Sequence, residues 1–120
     1  MNAQEIYIVE DDTHLGNIYQ KTLEHAGYTV HLSADGKGLM PKLQEKQPDL
    51  LILDLHVPYA WGPDTIAQVR AIPELALTKI MVTTADIVVG RELIAAGETV
   101  LIKPVSIDRL KKVAEELLAE

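Results

Sequence analysis

Asp54 closes an unbroken apolar run, Leu50-Leu51-Ile52-Leu53, and is followed four residues later by Pro58. A carboxylate at the end of a buried strand stands where a loop begins, and in open α/β sheets ligands bind at that carboxyl edge. Three further runs end on reactive side chains: Ile6-Tyr7-Ile8-Val9 on Glu10-Asp11, Lys79-Ile80-Met81-Val82-Thr83 on Thr84, and Thr99-Val100-Leu101-Ile102 on Lys103. Three carboxylates held together repel and raise one another's pKa unless a cation sits among them. Mg2+ suits that place, because it takes oxygen ligands and binds through one or two carboxylates together with waters and phosphate oxygens. Lys103 adds a mobile positive charge and Thr84 a hydroxyl donor. Together these groups meet the needs of phosphoryl transfer to an aspartate, which depends on positioning and charge neutralisation.

Those residues meet only if the chain folds so that the strand ends share one edge. After a polar lead-in over Met1 to Glu5, Ile6–Val9 reads as a first strand. Asp12 or Thr13 caps a helix whose apolar face is Leu15, Ile18, Tyr19, Leu23 and Ala26, and Gly27 is its left-handed stop. Tyr28–Leu32 is a second strand with Tyr28, Val30 and Leu32 on one face. A loop over Ser33–Gly38 leads to a helix that starts near Leu39, so that Pro41 falls in its first turn. An interior proline would cost about 3 kcal/mol.

The Asp54 strand is apolar throughout, as suits a strand covered on both faces. A loop over Pro58–Gly62 follows, and Pro63 opens a helix with Ile66 and Val69 inward that ends at Ile72-Pro73. Lys79–Thr83 is the fourth strand, Ile87–Ala96 a short helix closed by Gly97, and Thr99–Ile102 the fifth strand. Ser106 caps a last helix facing inward through Ile107, Leu110, Val113 and Leu117. Strand and helix alternate five times along the sequence. The expectation is a flavodoxin-like α/β fold, a doubly wound five-stranded parallel sheet of order 2-1-3-4-5 with five helices. Its switch point lies between the first and third strands, where Glu10, Asp11 and Asp54 meet.

With 120 residues, 48% hydrophobic and 24% charged, the chain reads as one globular domain over 1–120 with no linker or repeat. A formal net charge of −7 argues against nucleic acid binding. No apolar run approaches the ~20 residues that span a bilayer. The sequence has no cysteine, which excludes disulfides and thiolate chemistry and fits a cytoplasmic protein. His14, His25 and His31 read as surface or half-buried residues, without zinc-site spacing. Trp61 is either a packed lid residue or an exposed anchor for a partner. Taken alone, Glu10-Asp11-Asp12 is a solvated strand-to-helix turn; beside Asp54 it becomes a metal site, with Asp12 still the cap.

The segments Ile8-Val9-Glu10-Asp11-Asp12, Leu53-Asp54-Leu55-His56-Val57-Pro58 with Gly62, Thr83-Thr84-Ala85 and Lys103-Pro104 occur in this order, each at a strand end. In this the chain resembles the receiver domain of two-component response regulators over nearly its whole length. The resemblance implies that Asp54 accepts a phosphoryl group from a sensor histidine kinase or a phosphotransfer protein. It also implies that Glu10, Asp11, Asp54 and the His56 backbone carbonyl hold Mg2+, that Thr84 binds a phosphoryl oxygen, and that Lys103 pairs with the phosphoryl group. His56 and Asp86, two residues beyond Asp54 and Thr84, then flank the path of the hydrolytic water. The output is a downstream protein partner or output domain engaged through the fourth helix and fifth strand, and a homodimer through the fourth and fifth helices is compatible with the sequence.

The chain departs from the family on that signalling face. Val100 stands where an aromatic residue is usual three positions before the lysine, Val105 follows Lys103-Pro104 in place of the usual phenylalanine, and there is no phenylalanine at all. The stretch from Thr84 to Lys103 is short. The expectation is that phosphorylation draws Thr84 and its loop toward Asp54, and that the readout is a rearranged fourth helix rather than an aromatic flip. Two other functions compete. One is a receiver-like interaction module that does not use phosphorylation. The other is a haloacid-dehalogenase-like phosphatase, disfavoured because His56 stands where that family places its general acid and no cap domain is present.

Overall fold

The structure, a computed structural model, describes residues 3–120. Residues 1 and 2 of the expected lead-in lie outside the described residues, and Glu5 already belongs to the first strand. In chain order the elements are β1 (Glu5–Val9), α1 (Thr13–His25), β2 (Thr29–Ser33), α2 (Leu39–Lys46), β3 (Leu50–Asp54), β4 (His56–Val57), β5 (Ala60–Trp61), α3 (Gly62–Ala71), β6 (Lys79–Thr84), α4 (Ile87–Ala95), β7 (Thr99–Ile102) and α5 (Ile107–Leu118). Five strands form one parallel sheet of order β2-β1-β3-β6-β7. This is the expected 2-1-3-4-5 winding.

Each strand alternates between two cores, because successive side chains point to opposite faces. Tyr7, Val9, Leu51, Leu53, Ile80 and Val82 pack against α2, α3 and α4 through Leu39, Leu43, Ile66, Val69 and the partly buried Val89 and Leu93. Ile6, Ile8, Leu50, Ile52, Met81 and Leu101 face α1 and α5 through Tyr19, Leu23, Leu110 and Ala114. Leu50 to Leu53 in β3 are at most 1% exposed, as an unbroken apolar strand requires.

Local chemistry sets the helix ends. Asp12 Oδ1 accepts the Leu15 N–H at 3.0 Å and caps α1. At the other end Gly27 adopts φ +103°, and the next residue, Tyr28, returns its N–H to the Leu23 carbonyl at 3.2 Å. Ala26, expected on the apolar face of α1, is instead its exposed C-cap, since the helix stops one residue earlier. Gly16 is buried instead: a Cβ there would meet the Leu32 side chain at 3.1 Å. Pro41 falls in the first turn of α2, where its missing N–H costs nothing.

The stretch after Asp54 differs from the expected loop. His56–Val57 and Ala60–Trp61 form a small antiparallel ladder around Pro58-Tyr59. Two backbone bonds fasten it: Tyr59 N–H to the Asp35 carbonyl and Gly62 N–H to the Leu55 carbonyl, both at 3.0 Å. Helix α3 begins at Gly62, one residue before Pro63, and this glycine packs on Leu55 where a Cβ would collide with the Leu55 side chain. Ile72 is extended, as a residue before proline prefers, and a single 3₁₀ turn over Pro73–Leu75 then inserts Leu75 into the core.

Candidate functional site

The carboxyl ends of β1, β3, β6 and β7 bring Glu10, Asp11, Asp54, Thr84 and Lys103 to one edge of the sheet. Parallel pairing of β3 with both β1 and β6 does the positioning: Leu53 lies opposite Val9, and Asp54 opposite Thr83. Oxygens from Glu10, Asp11 and Asp54 lie within 4.8 Å of one another. Glu10 is 2% and Asp54 5% exposed, whereas Asp11 opens to solvent.

Lys103 provides the positive charge. Its Nζ stands 3.1 and 3.4 Å from the two Glu10 oxygens and 3.5 Å from Asp54 Oδ2. It therefore sits more tightly on Glu10 than on Asp54. A second donor reaches Asp54 from the chain itself, the His56 N–H at 3.3 Å from Oδ1. Glu10 Oε2 also accepts the Asp12 N–H at 3.2 Å.

These surroundings push the two buried carboxyls apart. Burial, followed by the neighbouring Asp54, pushes Glu10 up to about 7, against the pull of Lys103 and the Asp12 N–H. Burial also raises Asp54, but the contacts with Glu10 and Asp11, the His56 N–H and Lys103 outweigh it and hold Asp54 below its ordinary value. Burial alone would lower Lys103, yet Glu10 and Asp54 raise it, so it stays an ammonium. Asp54 is thus the more readily ionised member of the pair. One ammonium among three clustered carboxylates leaves an excess of negative charge. A compact all-oxygen donor set with that excess fits a small hard dication such as Mg2+.

Thr84 is fully buried, and its Oγ1 accepts the Asp86 N–H at 2.9 Å. The Lys103 N–H is bonded to the Thr84 carbonyl at 2.7 Å, which joins the two strand ends. His56 turns its side chain outward: Nε2 stands 3.5 Å from Asp86 Oδ2, and its ring centroid is 5.0 Å from that of Trp61. Trp61 is 41% exposed, so it is an outward residue of the hairpin and not a buried lid. Sequence reasoning missed Asp86 as a structural hub. It is the N-cap of α4, its Oδ1 accepting the Val89 N–H at 3.1 Å. An aspartate directly before the apolar run Ile87-Val88-Val89 was the available signal.

Comparison with known proteins agrees with this geometry. The sequence model of the response regulator receiver domain matches residues 6–115. The response regulator ArlR of Staphylococcus epidermidis is 34% identical over 110 residues, which are 88% of this chain and 48% of ArlR. The chain thus spans about half the length of that relative. The chemotaxis response regulator CheY4 of Vibrio cholerae superposes with a TM-score of 0.85 at 26% identity, covering 97% of this chain and 99% of CheY4. The receiver domain of a sensor histidine kinase from Pseudomonas aeruginosa, which carries a magnesium ion coordinated in its active site cleft, has the same fold at 24% identity, with a TM-score of 0.85 and coverage of 99% and 100%. The chain belongs to the response regulator receiver domain family, and its acidic pocket of Glu10, Asp11 and Asp54 is consistent with Mg-dependent aspartate phosphorylation in phosphorelay signalling.

Proposed function

We propose that residues 1–120 act as a single receiver domain whose phosphoacceptor is Asp54, with a sensor histidine kinase or a phosphotransfer protein as donor. The observation that carries this reading is one ionised, buried carboxylate at a strand end, with two more carboxylates within 4.8 Å and an ammonium at 3.5 Å. An Asp54 oxygen attacks the phosphorus of a phosphohistidine. The new O–P bond forms as the P–N bond breaks, and the electron pair leaves with the imidazole nitrogen, giving an aspartyl phosphate. Glu10, Asp11, Asp54 and the His56 carbonyl would hold Mg2+, which when bound neutralises charge on the phosphoryl oxygens. The magnesium in the related kinase receiver supports that assignment.

Lys103 leaves Glu10 to pair with the incoming phosphoryl group, and the Thr84 hydroxyl donates to one of its oxygens. The chain accepts a phosphoryl group and later loses it to water, without turnover of a free substrate. The output is a change in binding to a downstream partner or output domain through α4 and β7. Relatives named as transcriptional regulators, such as ZraR of Salmonella typhimurium, of which the match covers 26%, support an output of that kind. The chain is proposed to work in the cytoplasm. Among the described residues no helix is long and apolar enough to cross a membrane.

Intact mass after incubation with Mg2+ and acetyl phosphate tests the reading. One phosphoryl addition that is absent from Asp54→Asn is the expected result. A wild-type chain that gains no phosphoryl group, and whose Trp61 fluorescence ignores Mg2+, would instead be a phosphorylation-independent binding module.

A further inference from the structure

We propose that Asp86 is a positioning residue that ties α4 to the Thr84 hydroxyl, so that a phosphoryl oxygen bound by that hydroxyl orders the first turn of the helix. The inference rests on the reading of Asp54 as phosphoacceptor and Thr84 as phosphoryl ligand. Asp86 makes three hydrogen bonds in series. Its N–H donates to Thr84 Oγ1 at 2.9 Å, its Oδ1 accepts the Val89 N–H at 3.1 Å, and its carbonyl accepts the Gly90 N–H at 2.9 Å. The first turn of α4 hangs from Asp86, and Asp86 hangs from Thr84.

The chemistry of the hydroxyl makes this a relay. A threonine hydroxyl has one donor and two acceptor positions. Accepting from Asp86 occupies one lone pair and leaves the O–H free to donate to a phosphoryl oxygen. The two bonds reinforce each other, since each polarises the shared oxygen. Packing supports the same path. A Cβ at Gly90 would stand 3.2 Å from Thr84 Cγ2 and 2.7 Å from Ile102 Cδ1, so α4 lies close against Thr84 and a larger residue would push on both side chains. Gly90 is the one fully buried residue of α4, and beside the partly buried Val89 and Leu93 the bonds of Asp86 are the polar attachment of its first turn to the strand end. Val100, a short aliphatic side chain, offers no ring to carry the signal.

Residue-resolved amide exchange on the 120-residue chain, with and without Mg2+ and beryllofluoride, tests the proposal, with fluorine NMR reporting whether the mimic is bound. The amides of Asp86, Val89 and Gly90 are expected to slow together by about fivefold when it binds, the effect of strengthening one hydrogen bond. In Asp86→Ala, Val89 should cease to respond while Gly90 still does, and Asp86→Asn, which keeps the Oδ1 acceptor, should restore Val89. An Asp86 that merely capped the helix would change Val89 exchange equally with and without the mimic. Bound fluoride in the wild type with unchanged exchange at these three amides overturns the relay. So does an Asp86→Ala chain in which Val89 responds as in the wild type. No bound fluoride in the wild type removes the Asp54 reading itself, and the relay with it.

Discussion

Helices α4 and α5 lie on opposite faces of the same sheet and are held unequally. Helix α5 buries Leu110 and Ala114 and lays Ile107, Val113 and Leu117 along the core that Leu101 and Met81 complete. Helix α4 buries only Gly90, while Ile87, Val88 and Ile94 are 51, 68 and 49% exposed. One helix is fastened by apolar area, which is non-directional and hard to undo piecemeal. The other has less apolar area, from the partly buried Val89 and Leu93, and adds a glycine contact and the directional hydrogen bonds of Asp86, one of which depends on the Thr84 hydroxyl. A switch element drawn from the weakly fastened end of a fold needs little free energy to move. The firmly packed helix is poorly placed to move, and the more weakly held one, joined to Thr84 through Asp86, is able to report on the site.

The largest expected effect breaks the rigid side. Leu110→Ala removes a fully buried side chain from α5 and should cost about 2–5 kcal/mol in urea denaturation. A loss below about 1 kcal/mol would mean that α5 is no better anchored than α4.

Next comes pH, acting on the acidic site at the sheet edge. Glu10 titrates near 7 in the folded chain against an ordinary 4.5, so the folded state holds its proton more tightly than the unfolded state. The stability this contributes is fully present below 4.5 and is lost as pH rises through about 7. Asp54 runs the other way. Its lowered value contributes stability above its ordinary 3.8, lost as pH falls. Without metal the protein should therefore be most stable near pH 4–5 and lose stability toward neutrality. Mg2+ should reverse that decline, because binding displaces the Glu10 proton. Denaturation midpoints across this range, with and without Mg2+, decide it, and a flat metal-free profile would refute the crowded-carboxylate account. Asp54→Asn removes the like charge beside Glu10. In the absence of Mg2+ at neutral pH it should stabilise the chain by about 1 kcal/mol, the worth of roughly one pKa unit. Destabilisation instead would make Asp54 a structural partner of Lys103 first and a reactive group second.

Much of this was legible before any coordinates. The apolar strands, each stopping on Glu10, Asp54, Thr84 or Lys103, fixed the winding and the shared edge, because parallel strands put like ends together. Caps at Asp12 and Ser106 and the stop at Gly27 are local chemistry and read directly. The hairpin of β4 and β5 was not legible, since two-residue strands are too short to show a period and one of the bonds that fasten them comes from Asp35, distant in sequence. Nor could sequence tell that Lys103 rests on Glu10 before Asp54, which is a matter of tenths of an ångström. Gly90 inside an apolar helix reads as a mild defect until its closeness to Thr84 and Ile102 is seen.

The smallest expected effect sharpens the comparison most. Val88 and Ile94 lie on the outer face of α4, where their removal uncovers little that was not already wet. Val88→Ser and Ile94→Ser should each change stability by no more than about 0.5 kcal/mol, as surface substitutions do. Denaturation midpoints within that margin, set against a Leu110→Ala chain that loses several times more, would show that the outward apolar residues of α4 contribute little to the fold. Exposed aliphatic side chains cost solubility and, at these positions, bring almost no stability in return. A loss above about 1 kcal/mol at either site would mean that α4 is packed as firmly as α5, and a helix so held would not follow the single hydroxyl of Thr84.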